Sequence, residues 1–289
     1  MTPHDFDFLR RMLKERSGLV LSAEKDYLLE SRLLPLARRH GMTSLGELAT
    51  RLRQPGSASL AIAVTEAMTT NETFFFRDRI PFDHLRETVI PALVAARSRE
   101  KRIRIWCTAA ASGQEPYSIA MVLKGLGAQL NGFRVDIVAT DLSADVIDRA
   151  KAGIYSQFEV QRGQPIQLLV KYFSKSGDAW EIAPELRGMV QFRTLNLLND
   201  FSPLGQFDVV FCRNVLIYFD QPTKVGVLER IARQMPRDGY LMLGAAETVV
   251  GLTDCFVPLP EKRGLYMAAD PARRSPALGR NVTRLTVKA

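Results

Sequence analysis

From residue 102 onward the chain alternates strand-like with helix-like segments. RIRIWC (102–107) precedes PYSIAMVLKGL (116–126), and FRVDIVATD (133–141) precedes SADVIDRAKAG (143–153). MVQFRTLN (189–196) and FDVVFC (207–212) are again strand-like, and QPTKVGVLERIARQM (221–235) has helical spacing. DGYLMLGAA (238–246) and RGLYMAA (263–269) close the series as strands. Such alternation predicts an α/β fold with a doubly wound, mostly parallel sheet. Residues 154–190 interrupt it. Gly163, Pro165, Gly177, Trp180 and Pro184, with the strand-like DAWEIA, predict a small inserted β-subdomain.

The N-terminal quarter has a different texture. Phe6, Leu9, Met12 and Leu13 share one helical face, and Gly18 ends that helix. Ser22 is a candidate cap for a second helix carrying Leu29, Leu33 and Leu36, which His40-Gly41 closes. Ser44 starts a third, QPGSAS breaks it, and a fourth covers about 59–69. TTNETFFFRDR (69–79) fits neither a helix nor a clean strand, and a helix follows over about 81–98. The expected organisation is an all-helical module at 1–75, the sheet domain at 76–270 with its insert at about 154–190, and a flexible basic tail at 271–289.

Charge and cysteine usage narrow the class. The net charge of +8 sits at the ends: 1–60 carry ten Lys/Arg against seven Asp/Glu, and 262–289 carry seven Lys/Arg against Asp270 alone. Basic ends suit an acidic partner, whether nucleic acid, anionic lipid or a protein surface, or are simply solvated. Cys107, Cys212 and Cys255 are widely spaced with no CxxC, which argues against a zinc site and for reduced thiols. No stretch reaches 18 consecutive apolar residues, so membrane insertion is not expected.

Four stretches carry polar groups where strands end. In RIWCTAAASGQEPYSIAM, small residues lead from a strand into a helix, which lets a ligand approach the backbone closely. A pyrophosphate site wants GxGxxG there. Here Glu115 occupies the place of the phosphate; it repels an anion and welcomes an ammonium, or is a first-turn carboxylate favoured by the helix dipole. Asp141, ending VDIVATD, suits the two hydroxyls of a ribose or a helix cap. A ribose and an ammonium without phosphate describe S-adenosylmethionine. Asn196, after FRTL, is an amide able to read an adenine edge or a turn former. In FDVVFCRNVLIYFD, Arg213 and Asn214 sit inside an apolar run, where both need partners. Asn71, Thr73 and Arg77 flank three consecutive aromatics, and Arg77 suits either a structural ion pair or a two-pronged contact with a carboxylate.

NETFFFR, AAASGQEPYSIAM, ATDLS, LNL and CRNVLIYF, in this order and spacing, resemble the CheR-type chemoreceptor glutamate methyltransferases over about residues 5–268. The resemblance implies a class I S-adenosylmethionine-dependent methyltransferase fold with an inserted β-subdomain. It implies cofactor contacts by Asn71, Thr73, Arg77, Glu115, Asp141, Asn196, Leu197, Arg213 and Asn214, with S-adenosylhomocysteine as the product. Arg77 and Tyr218 are the candidate catalytic residues, and no metal is implied. The implied acceptors are glutamates on the acidic cytoplasmic helical hairpin of chemoreceptors, which places the enzyme in the cytoplasm at membrane-associated receptor arrays. Some members also grip a receptor pentapeptide with this subdomain. The stretch 172–186 is shorter than their loop, which argues against such tethering. Receptor contact then falls to Arg32, Arg38, Arg39, Arg51 and Arg53 of the helical module. Glutamate is already ionised at neutral pH and needs no base, which agrees with only His4, His40 and His84 in the chain, none in these motifs.

Three other readings compete. A nucleic-acid amino-methyltransferase wants an Asn/Asp-Pro-Pro-aromatic turn where Arg213-Asn214-Val215-Leu216 stands, so no nucleic-acid substrate is expected. A NAD-dependent dehydrogenase wants the missing glycine fingerprint. A non-catalytic scaffold that binds the cofactor is compatible with the same motifs.

Overall fold

The computed structural model describes residues 2–269, so the tail at 271–289 lies outside the described residues. The chain opens with helices α1 (Pro3–Ser17), α2 (Asp26–Arg39), α3 (Leu45–Leu52) and α4 (Ala58–Met68). Their apolar stripes meet in one core built on Leu9, Leu13, Leu29, Leu33, Leu48 and Val64. Gly18 ends α1 in the left-handed region, and the Ser44 hydroxyl caps α3 by accepting from Glu47 N–H, as their chemistry predicts. The second helix differs from expectation. Ser22 opens a short 3-10 turn through its carbonyl, which accepts from Lys25 N–H, and α2 starts without a side-chain cap.

After the junction come α5 (Ile80–His84), a π-helical turn at Leu85–Val89 and α6 (Ile90–Ala96). The first two crossovers run β1 (Arg102–Cys107), α7 (Gln114–Leu126), β2 (Arg134–Asp141) and α8 (Ala144–Ala152). The insert comprises β3 (Ile154–Ser156), α9 (Gln157–Gln161), α10 (Ile166–Tyr172), β4 (Phe173–Ser176), β5 (Ala179–Ile182) and α11 (Pro184–Arg187). The chain then continues through β6 (Val190–Thr194), β7 (Val209–Cys212), α12 (Gln221–Arg233), β8 (Tyr240–Leu243), β9 (Phe256–Pro258) and β10 (Leu265–Ala268).

The main sheet has seven strands in the order β6-β2-β1-β7-β8-β10-β9. β6, β2, β1, β7 and β8 are parallel, and β10 runs antiparallel between β8 and β9. The strand order reverses between β1 and β7, so the crevice for a ligand lies there. The insert forms its own antiparallel sheet, β3-β5-β4. The sequence pattern did not anticipate β9 or the helices of the insert, which are short and carry no clean period.

Several contacts between distant segments were not foreseen. The helical module is bolted onto the sheet domain: Lys14 pairs with Asp220 at 2.7 Å, Val20 N–H donates to Tyr218 O, and Glu66 accepts from Ala144 N–H at the start of α8. Among the basic residues expected to contact a receptor, Arg32 instead turns inward. It donates to the Met68 and Thr69 carbonyls and to the Thr70 hydroxyl. Arg53 pairs with Asp5 and lies over the Phe8 ring. Arg38 and Arg39 stay exposed.

Candidate active site

The carboxyl ends of β6, β2, β1 and β7 open into a cleft that the end of α1 and the 69–77 junction enclose. Open solvent at its mouth included, it encloses about 960 Å³ of space between atoms. Asn71, Thr73, Arg77, Glu115, Asp141, Asn196, Leu197, Arg213, Asn214 and Tyr218 all line it. Residues from five separate stretches of sequence thus meet on one surface.

The floor is the loop between β1 and α7. Ala111 adopts φ 45 and Gly113 φ 96, both left-handed. A Cβ on Gly113 would sit 3.0 Å from Ala150 and 3.1 Å from the Tyr155 hydroxyl, so glycine is what lets this loop turn here. Asp141, at the end of β2, braces the same loop. Its Oδ2 accepts from Ala111 N–H at 2.9 Å and its Oδ1 from Ser143 N–H at 3.1 Å. Burial raises its pKa above the ordinary aspartate value, and the N–H groups of Ser143, Ala111 and Leu142 oppose that shift. A carboxylate has about four acceptor sites, so Asp141 keeps capacity for a diol.

Arg213 and Glu115 answer the question of the polar groups inside the apolar run. Arg213 Nη1 donates to Glu115 Oε2 at 2.6 Å, and Nη2 donates to Asp78 Oδ2 at 2.7 Å and to Arg77 O at 2.9 Å. Both side chains are buried, Arg213 at 1% exposure and Glu115 at 10%. Burial raises the Glu115 pKa, and Arg213 pulls it back down. Arg213 is therefore a strut in the wall of the cleft rather than a group on its rim. It ties the junction to the sheet at a bend where Phe76, Asp78 and Arg79 all have positive φ.

Asn196 is committed on both sides of its amide. Nδ2 donates to Arg16 O at the end of α1, and Oδ1 accepts from Leu198 N–H at 2.9 Å. One Nδ2 N–H and one Oδ1 lone pair remain for a ligand. Arg77 is half-buried, donates Nη1 to Glu72 O at 2.7 Å, and lies 5.6 Å from the centre of the Phe74 ring. Cys107 and Cys212 are fully buried with raised thiol pKa values, which leaves them inert as nucleophiles.

Glu247 escaped the sequence reading. Its Oε1 accepts from the N–H groups of Val215 and Leu216, and its Oε2 from those of Asn214 and Gly244, all at 2.8–2.9 Å. One carboxylate thereby shapes the loop after β7, where Asn214 has φ 57. The signal was an acidic residue just beyond a strand end, in LGAAET, the same kind of position as Asp141. Asp78, Ser17 and Leu19 were missed for another reason: their roles depend on contacts between distant segments.

The arrangement suits a nucleoside joined to an amino acid. It has a buried acceptor for a diol, an apolar slot at Leu142, Leu195 and Leu197, and neighbouring charges of both signs for an ammonium and a carboxylate. The family model described as the CheR methyltransferase SAM-binding domain matches residues 71–265, and the CheR all-alpha domain matches 4–69. The chain belongs to the CheR family. Chemotaxis protein methyltransferase 1 of Pseudomonas aeruginosa is 44% identical to this CheR-family chain over 258 residues, 87% of this chain and 93% of that protein. Chemotaxis protein methyltransferase Cher2 of Pseudomonas putida is 42% identical with the same coverage. The Vibrio anguillarum chemotaxis protein methyltransferase is 41% identical over 249 residues, 85% of this chain and 90% of that protein. This CheR-family chain is an S-adenosylmethionine-dependent methyltransferase of chemotaxis with a class I fold. Among the described residues, no helix is long and apolar enough to cross a membrane.

Proposed function

We propose that this enzyme methylates glutamate side-chain carboxylates of chemoreceptors, forming methyl esters that tune adaptation. The ionisable chemistry of the cleft carries this reading. Among the described residues, its lining offers Glu72, Arg77, Glu115, Asp141, Arg213 and Tyr218, and neither histidine, lysine nor cysteine. Glu115 and Asp141 are occupied by Arg213 and by backbone N–H groups. An amine or hydroxyl acceptor needs a base, whereas a carboxylate with an ordinary pKa near about 4.3 is already a nucleophile at neutral pH.

In this reading Asp141 holds the ribose hydroxyls, Leu197 packs the adenine, and Glu115 receives the ammonium. Asn71, Thr73, Asn196, Arg213 and Asn214 complete the cofactor's enclosure. Bound S-adenosylmethionine supplies an activated methyl group. The protein's own work is placement and desolvation. Fixing one oxygen in line with the reacting carbon contributes up to roughly 7–11 kcal/mol. Taking a carboxylate out of water raises its pKa, and the half-buried Arg77 guanidinium offsets this by keeping it ionised. The Tyr218 hydroxyl donates to the acceptor oxygen that does not react.

The exposed Arg38 and Arg39 at the end of α2 offer a positive surface to an acidic helical hairpin. That partner places the enzyme in the cytoplasm beside the receptor array. The test is direct: incubate the enzyme with cofactor and a purified chemoreceptor cytoplasmic fragment, then map the methyl increment by fragmentation mass spectrometry. Increments on glutamates support the reading; increments on lysine, or on added nucleic acid, overturn it.

A further inference from the structure

Beside the cleft, bonded to Glu72 of its lining, stands a second cation that the reaction above does not use. Arg162, from the turn after α9, lies 4.4 Å from the centre of the Phe74 ring. Arg77 lies 5.6 Å from the centre of that same ring. Two guanidiniums from different subdomains therefore share one aromatic platform. Between them stands Glu72, which lines the cleft: its Oε1 accepts from Arg162 Nη2 at 2.7 Å, and its carbonyl accepts from Arg77 Nη1.

This placement is built into the backbone. Gly163 has φ 81, and a Cβ there would fall 2.2 Å from Phe75 O and 2.9 Å from the Phe74 ring. Only glycine lets the insert press this closely on the junction. Gln164 then reaches Met121 Sδ of α7. By contrast, the Arg162–Glu72 pair is weak cement. The two side chains are 39% and 56% exposed, and pairs that exposed contribute little to stability. Glu72 is held ionised by Arg162, its pKa lowered chiefly by that hydrogen bond. The pair suits exchange: an incoming carboxylate can replace Glu72 on Arg162 with no loss of ion pairing.

Resting on the glutamate reading above, we infer that Arg162 is a specificity residue that recognises a second carboxylate on the acceptor, close to the one Arg77 orients. Glu72 is its resident counter-ion, and Phe74 fixes the spacing of the two cations. On a helical acceptor, side chains three or four positions apart have Cβ atoms about 5–6 Å apart, so one turn of helix presents two carboxylates to one platform. The insert thus takes part in choosing which glutamate enters.

The test compares wild type, Arg162→Gln, Arg162→Lys and Glu72→Gln on a purified chemoreceptor cytoplasmic fragment. It is repeated on fragments whose acidic residues within one turn of the mapped acceptor are changed to Gln or Asn. Arg162→Gln should raise KM for the intact fragment about tenfold, while cofactor affinity by calorimetry and melting temperature stay unchanged. Arg162→Lys should recover part of that loss, and Glu72→Gln should lower KM. On the neutralised fragments, wild type and Arg162→Gln should become equal. A merely structural Arg162 would instead shift melting temperature or cofactor affinity and leave the difference intact on neutralised fragments, which overturns the proposal. Equal KM values for wild type and Arg162→Gln on the intact fragment overturn it as well and leave glutamate methylation standing. Wild type that forms no methyl ester on any fragment removes both.

Discussion

Arg213 and Glu115 form a buried ion pair of 2.6 Å at the point where the strand order of the sheet reverses. Removing one partner of such a pair leaves an uncompensated buried charge, at a cost of about 3–5 kcal/mol. Arg213→Met should therefore lower unfolding free energy by about that amount in urea titrations. It should also raise the Glu115 pKa further, so that cofactor affinity weakens and gains a pH dependence visible by calorimetry.

Glu247 makes a separable prediction. Its carboxylate satisfies four backbone N–H groups, none of them on the cofactor's expected contacts except Asn214. Charge-assisted hydrogen bonds contribute about 1.5–3 kcal/mol each when lost singly, and the four share one group. Glu247→Ala should cost roughly 3 kcal/mol in stability. Hydrogen exchange should show the 214–216 amides opening first.

If Asp141 holds the ribose as proposed, it should link pH to cofactor binding. Burial raises its pKa in the folded protein, so a larger fraction is protonated under mildly acidic conditions than for an exposed aspartate. Only the ionised form accepts from both ribose hydroxyls while bracing Ala111 and Ser143. Cofactor affinity should thus be flat above this raised pKa and fall as pH drops through it. Asp141→Asn should weaken binding at neutral pH by ten- to a hundredfold and flatten that dependence. Unchanged affinity would contradict the ribose assignment.

Arg77 and Tyr218 are expected to act on the acceptor. Arg77→Gln should lower kcat/KM for the receptor fragment by a hundredfold or more, while cofactor affinity changes severalfold at most. Tyr218→Phe should lower kcat by about tenfold with KM nearly unchanged, the pattern of a hydrogen bond that strengthens in the transition state.

The fold was legible in the sequence because its signals are local. Strand-like runs bounded by turns alternate with helical periods, Gly18 ends α1 through its positive φ, and the Ser44 hydroxyl caps α3. The cleft residues were legible because they sit at or beyond strand ends: Asp141 ends β2, Arg213 follows β7, and Glu115 lies in the first turn of the helix after β1. What stayed hidden was relational. The inward turn of Arg32 onto the 68–70 backbone, the grip of Asn196 on Arg16 and the stacking of Arg162 on Phe74 join segments 36, 180 and 88 positions apart or thereabouts. No periodicity records contacts of that kind. The four-fold use of Glu247 depends equally on two loops converging after β7 and β8.

A methyl ester differs from other methylation products in its lability to base. Incubate the enzyme with S-adenosylmethionine tritiated on the methyl group and a purified chemoreceptor cytoplasmic fragment, then treat the labelled protein with mild base. Methyl esters of glutamate hydrolyse and release volatile radioactive methanol, and the account predicts that nearly all of the label is released in this way. Label that survives base on the receptor fragment, as N-methyl or C-methyl groups would, contradicts it.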